Sequence, residues 1–357
     1  MTKYALLIAG ALVAGTHVVH AAATVKFAVG FADDSGGMYH LRSDYSFDSL
    51  GAPITFTRRG VGDYEYTFGK VGSATVGGNV QARGYAQSVR CSILYWFVPT
   101  GSSDVTVRIT CVDPAGPPAD TWTAVQFYSA TGNDALETAY LWADSPTAPT
   151  YTPSSLYSYN SSGGTNIVSH GSGAGDYLAY LPGLASLGGN PHVTAYGGGA
   201  SYCKLASWYH AIGGAFVVVH CFDASGAPID ARWSLRYTNG HLADDGAHHG
   251  TYHFGDGNFE PALPSPHNYT PTLAWHSGGL TDSVFDDNPH AVAMIPGLTL
   301  GVPVSPLVTA VGSDNTYCNP IGMTIASDGV TFLGYTRCFD AAGRLVGTPY
   351  TYALWDR

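Results

Sequence analysis

The chain predicts an all-β protein built from three tandem antiparallel β-sandwiches, of jelly-roll or immunoglobulin-like type, each stapled by one cross-strand disulfide. Three observations lead there. A unit of about 105 residues recurs three times. All six cysteines fall inside it, two per copy. Short Val, Thr, Tyr and Trp runs alternate with Gly, Pro, Asn and Asp turns, and no amphipathic 3.6-residue pattern persists beyond the N-terminus. Glycine (45) and tyrosine (24) are abundant and charged residues make up only 11 %, which suits turn-rich β structure better than helices.

The elements follow in chain order. Residues 1–21 read as a secretory signal, with Lys3 as the charge, Tyr4 to Gly15 as the apolar core and Val19-His20-Ala21 as the cleavage site. That run is too short to span a bilayer, and no later stretch of about 18 apolar residues exists. The mature chain is therefore expected to be secreted, extracellular or periplasmic, with no membrane span. Repeats are expected at 24–128, 137–239 and 250–357, joined by the polar segments Ser129 to Glu137 and Asn239 to His249. Each opens on a strand: Phe27 to Phe31, Ala139 to Trp142, Thr251 to Phe254. A Gly-Asp-Tyr strand follows in two units, Gly62-Asp63-Tyr64 and Gly175-Asp176-Tyr177; the third has Asn288-Pro289-His290 there. A further strand precedes each cysteine pair: Val80 to Tyr85, His192 to Tyr196, Leu307 to Val311. About eight strands per unit fit a sandwich, in which every other residue of each strand should be buried. The half-units could instead form a six-bladed β-propeller. Whole units resemble each other better than halves do, which favours sandwiches.

The cysteines sit symmetrically about tight turns. Cys91 and Cys111 are equidistant from Gly101, Cys203 and Cys221 from Ile212, Cys318 and Cys338 from Asp328. Antiparallel strands joined by a short turn place such residues opposite one another, within disulfide reach. The predicted bonds are Cys91–Cys111, Cys203–Cys221 and Cys318–Cys338. No close-spaced cysteine pair of the kind zinc uses is present. After each second cysteine comes Asp-x-x-Gly (Asp113–Gly116, Asp223–Gly226, Asp340–Gly343), read as a type I turn in preference to a cation ligand.

The ordered set Gly-Asp-Tyr, then Phe-Asp-x-x-Gly and a strand, is similar to repeated, secreted bacterial proteins of unassigned function that carry the unit "VTAYG…YCK…W…CFD..G.P.D". It also resembles, more loosely, the β-sandwich knobs of phage tail fibres and C1q-like heads. The residues that carry this are Gly62-Asp63-Tyr64, Gly175-Asp176-Tyr177 and Asp223-Ala224-Ser225-Gly226. The resemblance implies a jelly-roll-like sandwich used for surface binding. Such heads are usually trimeric; trimerisation is not carried over to a chain that already has three units.

Formal charge is −11. An acidic, lysine-poor surface is a poor match for nucleic acid. Asp34-Ser35-Gly36-Gly37 matches part of a chymotrypsin-like nucleophile segment, but no mature His precedes it, and it reads as a turn. The segment His241 to Glu260 is rich in imidazole and carboxylate, and His248, His249, His253 and Asp256 are its weak metal candidates. An inter-unit linker is the simpler reading. Glu65, Glu137 and Glu260 are the only glutamates for a glycosidase pair. Asn160-Ser161-Ser162 and Asn268-Tyr269-Thr270 match the glycosylation triplet. Aromatic residues in the least strand-like regions, Trp142, Tyr151, Tyr157, Tyr159 and Trp275, are candidates to stack on a sugar, whereas Trp96, Trp122, Trp208 and Trp233 read as structural. No catalytic set assembles and no cofactor is called for. The expected function is non-enzymatic binding of carbohydrate or an extracellular protein. The alternatives are a secreted hydrolase using loops of the third unit, with Asp256 or His249, and a structural envelope or matrix component.

Overall fold

The computed structural model describes residues 24–34, 37–132, 137–240, 250–255, 280–282, 291–296, 306–325, 327, 329 and 331–355. The expected signal at 1–21 lies outside them. The first unit contains β1 (Thr24–Asp33), β2 (His40–Leu41), β3 (Phe47–Asp48), β4 (Ile54–Gly60), β5 (Asp63–Phe68), β6 (Asn79–Tyr85), β7 (Arg90–Phe97), β8 (Val105–Val112) and β9 (Trp122–Thr131). The second contains β10 (Glu137–Ala143), β11 (Thr150–Tyr151), β12 (Ser158–Asn160), β13 (Ile167–His170), β14 (Asp176–Pro182), β15 (Asn190–Tyr196), β16 (Tyr202–Ala211), β17 (Gly214–Phe222) and β18 (Arg232–Asn239). The third contains β19 (Gly250–Gly255), β20 (Leu280–Asp282), β21 (Ala291–Pro296), β22 (Leu307–Ala310), β23 (Tyr317–Ile325), β24 (Thr331–Phe339), β25 (Leu345–Val346) and β26 (Tyr350–Trp355).

Each unit is a two-sheet sandwich. One sheet pairs the first strand with the last and the last with the strand before the cysteine hairpin: β1-β9-β6, β10-β18-β15 and β19-β26-β22. The other is built on the hairpin: β4-β5-β8-β7, which is continuous with β10-β18-β15 through a parallel contact of Tyr196 with Ile93, β13-β14-β17-β16 and β21-β24-β23. Both sheets draw strands from both halves of the unit, so the halves are not separate blades and the propeller alternative falls. The cysteines pair directly across the hairpins as Cys91–Cys111, Cys203–Cys221 and Cys318–Cys338, with Cα separations of 4.1, 4.1 and 4.0 Å. The Asp-x-x-Gly segments are turns. Each aspartate carbonyl accepts the glycine amide at 3.0, 3.1 and 2.9 Å. Its carboxylate accepts the amide two residues on, at 2.8, 2.8 and 3.0 Å.

The three sandwiches close into a ring. Hydrogen bonds from the end of the pre-hairpin strand reach the hairpin of the neighbouring unit at equivalent places. Gly197 N donates to the Ile93 carbonyl (2.7 Å), Gly312 N to Leu205 (3.0 Å) and Ala86 N to Pro320 (2.8 Å). Each acceptor lies two residues past the first cysteine, beside a β-bulge that all three hairpins share. Unit two thus docks on one, three on two, and one on three: a heterologous contact that closes after three steps. The Asp-x-x-Gly turns form a second ring, with Gly116 against Ala224, Gly226 against Ala341 and Gly343 against Pro114.

Closure changes the burial pattern. Strands of the hairpin sheets alternate as expected, β5 and β14 burying every second residue. The first-to-last sheets do not. All seven residues of β6 are buried, and β9, β15 and β18 are buried along nearly their whole length. The expected alternation fails there because these sheets face a sandwich core on one side and each other on the second side. Phe27, Val29, Tyr128, Tyr140, Tyr252, Leu307 and Ala353, from all three units, share one apolar cluster on that second side.

The rest of the second side is polar. Register places Arg83, Thr194 and Thr309 at equivalent positions, opposite Ala124, Ser234 and Thr351. They meet on the pseudo-threefold axis. The Arg83 guanidinium donates to Thr194 Oγ1 (2.7 Å), Thr309 Oγ1 (2.6 Å), the carbonyls of Val308 (2.5 Å) and Ala82 (2.7 Å), and the Val193 carbonyl. No carboxylate is among these partners, and burial pushes the guanidinium down to about 9. The next layer holds Gln81 and His192; Thr194 donates to Gln81 Oε1 (2.8 Å) and His192 Nδ1 meets Thr309 Oγ1 at 3.1 Å.

Two predictions follow from the axis. Arg83→Leu removes the guanidinium donors from the buried Thr194 and Thr309 hydroxyls and the Val193 and Val308 carbonyls and should cost ~3 kcal/mol or more, read as a lower urea midpoint. Burial, with Arg236 and Arg83 nearby, holds His192 well below the ordinary histidine value of 6.5. The unfolded chain therefore binds a proton below about pH 6.5 that the folded chain refuses, and stability is lost as pH falls through that value, by up to ~1.4 kcal/mol per unit. His192→Gln, the residue at the equivalent position of unit one, should flatten the stability profile between pH 6.5 and 5.

Candidate functional site

The ring creates three equivalent niches, one per junction, and their contents differ. The fifth residue after the first cysteine of one unit points at the first strand of the next: Trp96, Trp208 and Met323. At the first junction Trp96 fills the niche. It packs edge-on against Trp142, Tyr157 and Tyr196 at 5.8, 5.3 and 5.4 Å, and its indole N–H donates to the Gly77 carbonyl (2.8 Å). At the second, Trp208 meets Phe254 edge-on at 5.3 Å and donates to the equivalent carbonyl, Gly188 (3.1 Å). At the third, between units three and one, the residue is Met323. A methionine carries no ring to fill that space, and a cleft of about 260 Å³ stands open there.

Its lining is Phe31, Asp33, Arg42, Tyr45, Tyr85, Trp122, Ile321, Gly322 and Met323. Phe31 and Tyr85 form a buried floor. Trp122 lies half-exposed, stacked on Tyr85 at 6.0 Å with 25° between the rings, and its N–H donates to Asp34 Oδ1 (2.5 Å). The polar rim is an ion pair. Arg42 Nη1 bonds Asp33 Oδ2 at 2.7 Å, its Nη2 bonds Asp44 Oδ2 at 2.8 Å, and its plane lies over Tyr45 at 5.2 Å. Those carboxylates, Asp44 first, hold the guanidinium above its ordinary value, and Arg42 holds Asp44 below the usual carboxylate range. Both rim groups are therefore charged at neutral pH. The site offers flat aromatic faces, a carboxylate acceptor and a guanidinium donor within one concave surface.

The sequence candidates distribute as follows. Trp142 and Tyr157 come together, with rings 5.2 Å apart, but as part of the filled first niche. Tyr151 packs on the second sandwich core, its hydroxyl accepting from Ser145 N at 3.3 Å. Tyr159 stacks on Tyr140 at 5.5 Å in the shared inner cluster. Trp275 lies outside the described residues, as do His248, His249, Asp256, Glu260, Ser35 and Asn268. His253 is buried in β19, its carbonyl accepting from Asn190 Nδ2 at 3.2 Å. Among the described residues no three His, Cys, Asp or Glu side chains gather as a metal site. Trp96 and Trp233 are buried, in keeping with a structural reading, whereas Trp122 lines the open cleft and departs from it. Asn160 is buried, its amide donating to Asn166 and Pro182, so its triplet presents no exposed acceptor.

The Gly-Asp-Tyr motif has an architectural role. Gly62 and Gly175 adopt left-handed φ of 62° and 76° and abut the carbonyls of Cys111 and Cys221. Their amides donate to Asp120 Oδ1 (2.9 Å) and Asp230 Oδ1 (2.7 Å). The motif tyrosines complete the knot, Tyr64 and Tyr177 each accepting a backbone amide beside that aspartate, from Thr121 and Ala231, both at 2.9 Å. Unit three has Gly347 in place of the aspartate and lacks the motif. Two His–Asp pairs, His170–Asp230 (2.8 Å) and His220–Asp176 (3.1 Å), flank the second-unit knot. Glu65 pairs with Arg59, and Glu137 accepts the amides of Ala185 and Ser186 at 3.0 Å.

No protein-family model, curated protein or solved structure matches the chain. No helix among the described residues is long and apolar enough to cross a membrane.

Met323→Trp restores at the third junction the residue the other two carry. Burying an indole against Phe31 and Tyr85 should raise stability by about 1 kcal/mol or more, seen as a higher denaturation midpoint, with loss of solvent access at Trp122 in fluorescence quenching.

Proposed function

We propose that the protein is a non-enzymatic extracellular binding protein that takes a sugar ring of a surface glycan into the cleft between its first and third units. One observation carries the reading: of three equivalent niches, the third lacks the tryptophan of the other two, while its walls keep the chemistry a sugar requires. The apolar C–H face of a pyranose stacks on aromatic rings, here Trp122 and Tyr45. Its hydroxyls pair with charged groups of both hydrogen-bonding senses, here Asp33 as acceptor and Arg42 as donor. A volume of 260 Å³ is below the range of about 300–1,000 Å³ typical of larger ligands, which suits one ring rather than a long chain. Three disulfides agree with an oxidising compartment. An acidic chain lacks the basic stripe that nucleic acid requires.

The test is a glycan array with the protein lacking residues 1–21, followed by titration of the bound glycan. Trp122→Ala and Met323→Trp should each weaken binding at least tenfold, whereas Tyr159→Phe should leave it unchanged. Absence of any bound glycan, or binding indifferent to Trp122 and Met323, overturns the proposal.

A further inference from the structure

The axis holds a second, partly open cavity whose lining shares no residue with that of the cleft. About 30 Å³ is open to the centre of a water-sized sphere, room for about two or three waters or one small ion. The first cysteine of each unit lines it, Cys91, Cys203 and Cys318, together with Arg83 and Arg90.

Arg90 is the asymmetric member of its layer. The residue before the first cysteine is Arg90 in unit one, Tyr202 in unit two and Tyr317 in unit three. The three converge on the axis, the Arg90 guanidinium lying 4.5 Å from the Tyr202 ring centre and 5.2 Å from that of Tyr317. Arg90 is only 4 % exposed. Its Nη2 donates to the carbonyls of Pro114 (2.8 Å) and Ala224 (3.4 Å), while its Nε and Nη1 are buried and have no acceptor.

The charge around this cavity does not balance. Arg83, Arg90 and the Lys204 ammonium all line it. Of the three, Lys204 pairs with a carboxylate, its Nζ 2.5 Å from Asp314 Oδ1, and Asp314 is itself exposed. Arg83 and Arg90 thus have no carboxylate partner among the described residues, in a chain whose overall charge is −11. Isolated charge in a protein interior is costly unless a counter-charge or hydrogen bonds offset it.

We infer that this axial cavity is a site for a single monatomic anion of the chloride type, held by Arg90 with Lys204 and Arg83 around it. A space of this size suits a small inorganic anion. A halide accepts from several N–H donors at once and needs no fixed geometry, which suits a guanidinium whose two free donors face no protein acceptor.

The experiment uses the disulfide-intact chain. Thermal unfolding is followed in sodium chloride, sodium bromide and sodium gluconate at one ionic strength. Chloride and bromide should raise the midpoint by on the order of 5 °C over gluconate, because a ligand bound only by the folded state stabilises by mass action. Arg90→Tyr, which places the residue of units two and three in unit one, should abolish the halide dependence. Crystals grown in bromide should give an anomalous peak on the axis between Arg83 and Arg90, a readout that does not require the variant to fold. Equal midpoints in all three salts, or bromide crystals with no axial anomalous peak, mean that water fills the cavity and overturn the inference.

Discussion

The structure depends on one constraint: each sandwich has a sheet that cannot face water on either side. An antiparallel sheet ordinarily solvates one face, and its strands then alternate. β6, β9, β15 and β18 are instead buried along almost their full length. Their second faces cover one another where the three units meet about a common axis. The hydrogen bonds from Gly197, Gly312 and Ala86 fix the step from one unit to the next, and the disulfide hairpins hold the accepting strands rigid. The unit is therefore a third of a fold.

Carrying the three copies on one chain lets equivalent positions diverge. A symmetric trimer would place the same residue three times at the axis, and three arginines at the Arg83 layer would repel. Here the layer is Arg83 with two threonines, so one guanidinium finds hydroxyls and carbonyls from all three units. The layer below follows the same logic, with one arginine held between two tyrosine faces. The asymmetry that solves the packing problem at the axis also operates at the periphery. Two junctions use tryptophan to close the niche, and the third does not.

The sequence made the architecture of a unit legible because its signals are local. Cysteines mirrored about Gly101, Ile212 and Asp328 report a hairpin regardless of what surrounds it, and Asp-x-x-Gly reports its own turn. The ring was not legible, because it is a property of faces. Period-2 alternation reveals a half-buried strand, whereas a strand buried on both faces by polar as well as apolar residues reads as an unpatterned run. Asn79-Val80-Gln81-Ala82-Arg83 gives no hint that all five are buried. One signal was available: aligned copies show Trp96, Trp208 and Met323 at the same offset from the first cysteine, and the copy without tryptophan marks the junction that stays open. The aromatic candidates were sought in irregular segments, but sheet position decides exposure here. Trp142 lies at a filled junction, whereas Trp122, inside a repeated strand, borders an open one.

Repeats under a common fold constraint keep what the fold needs and release what only one copy needs. The knot of Gly62, Tyr64 and Asp120 recurs as Gly175, Tyr177 and Asp230, and both its parts are absent together from unit three, where Asn288-Pro289-His290 and Gly347 stand. Joint loss is expected of a mutually dependent set, because an aspartate whose donors are gone is only a charge to solvate, and donors without it are left unpaired. The disulfide, the bulge and the Asp-x-x-Gly turn survive in all three copies, and each of these lies at the inter-unit contact. What unit three relinquished is internal to one sandwich; what it retained closes the ring. The need for closure thus accounts for both its divergence and the limit to that divergence.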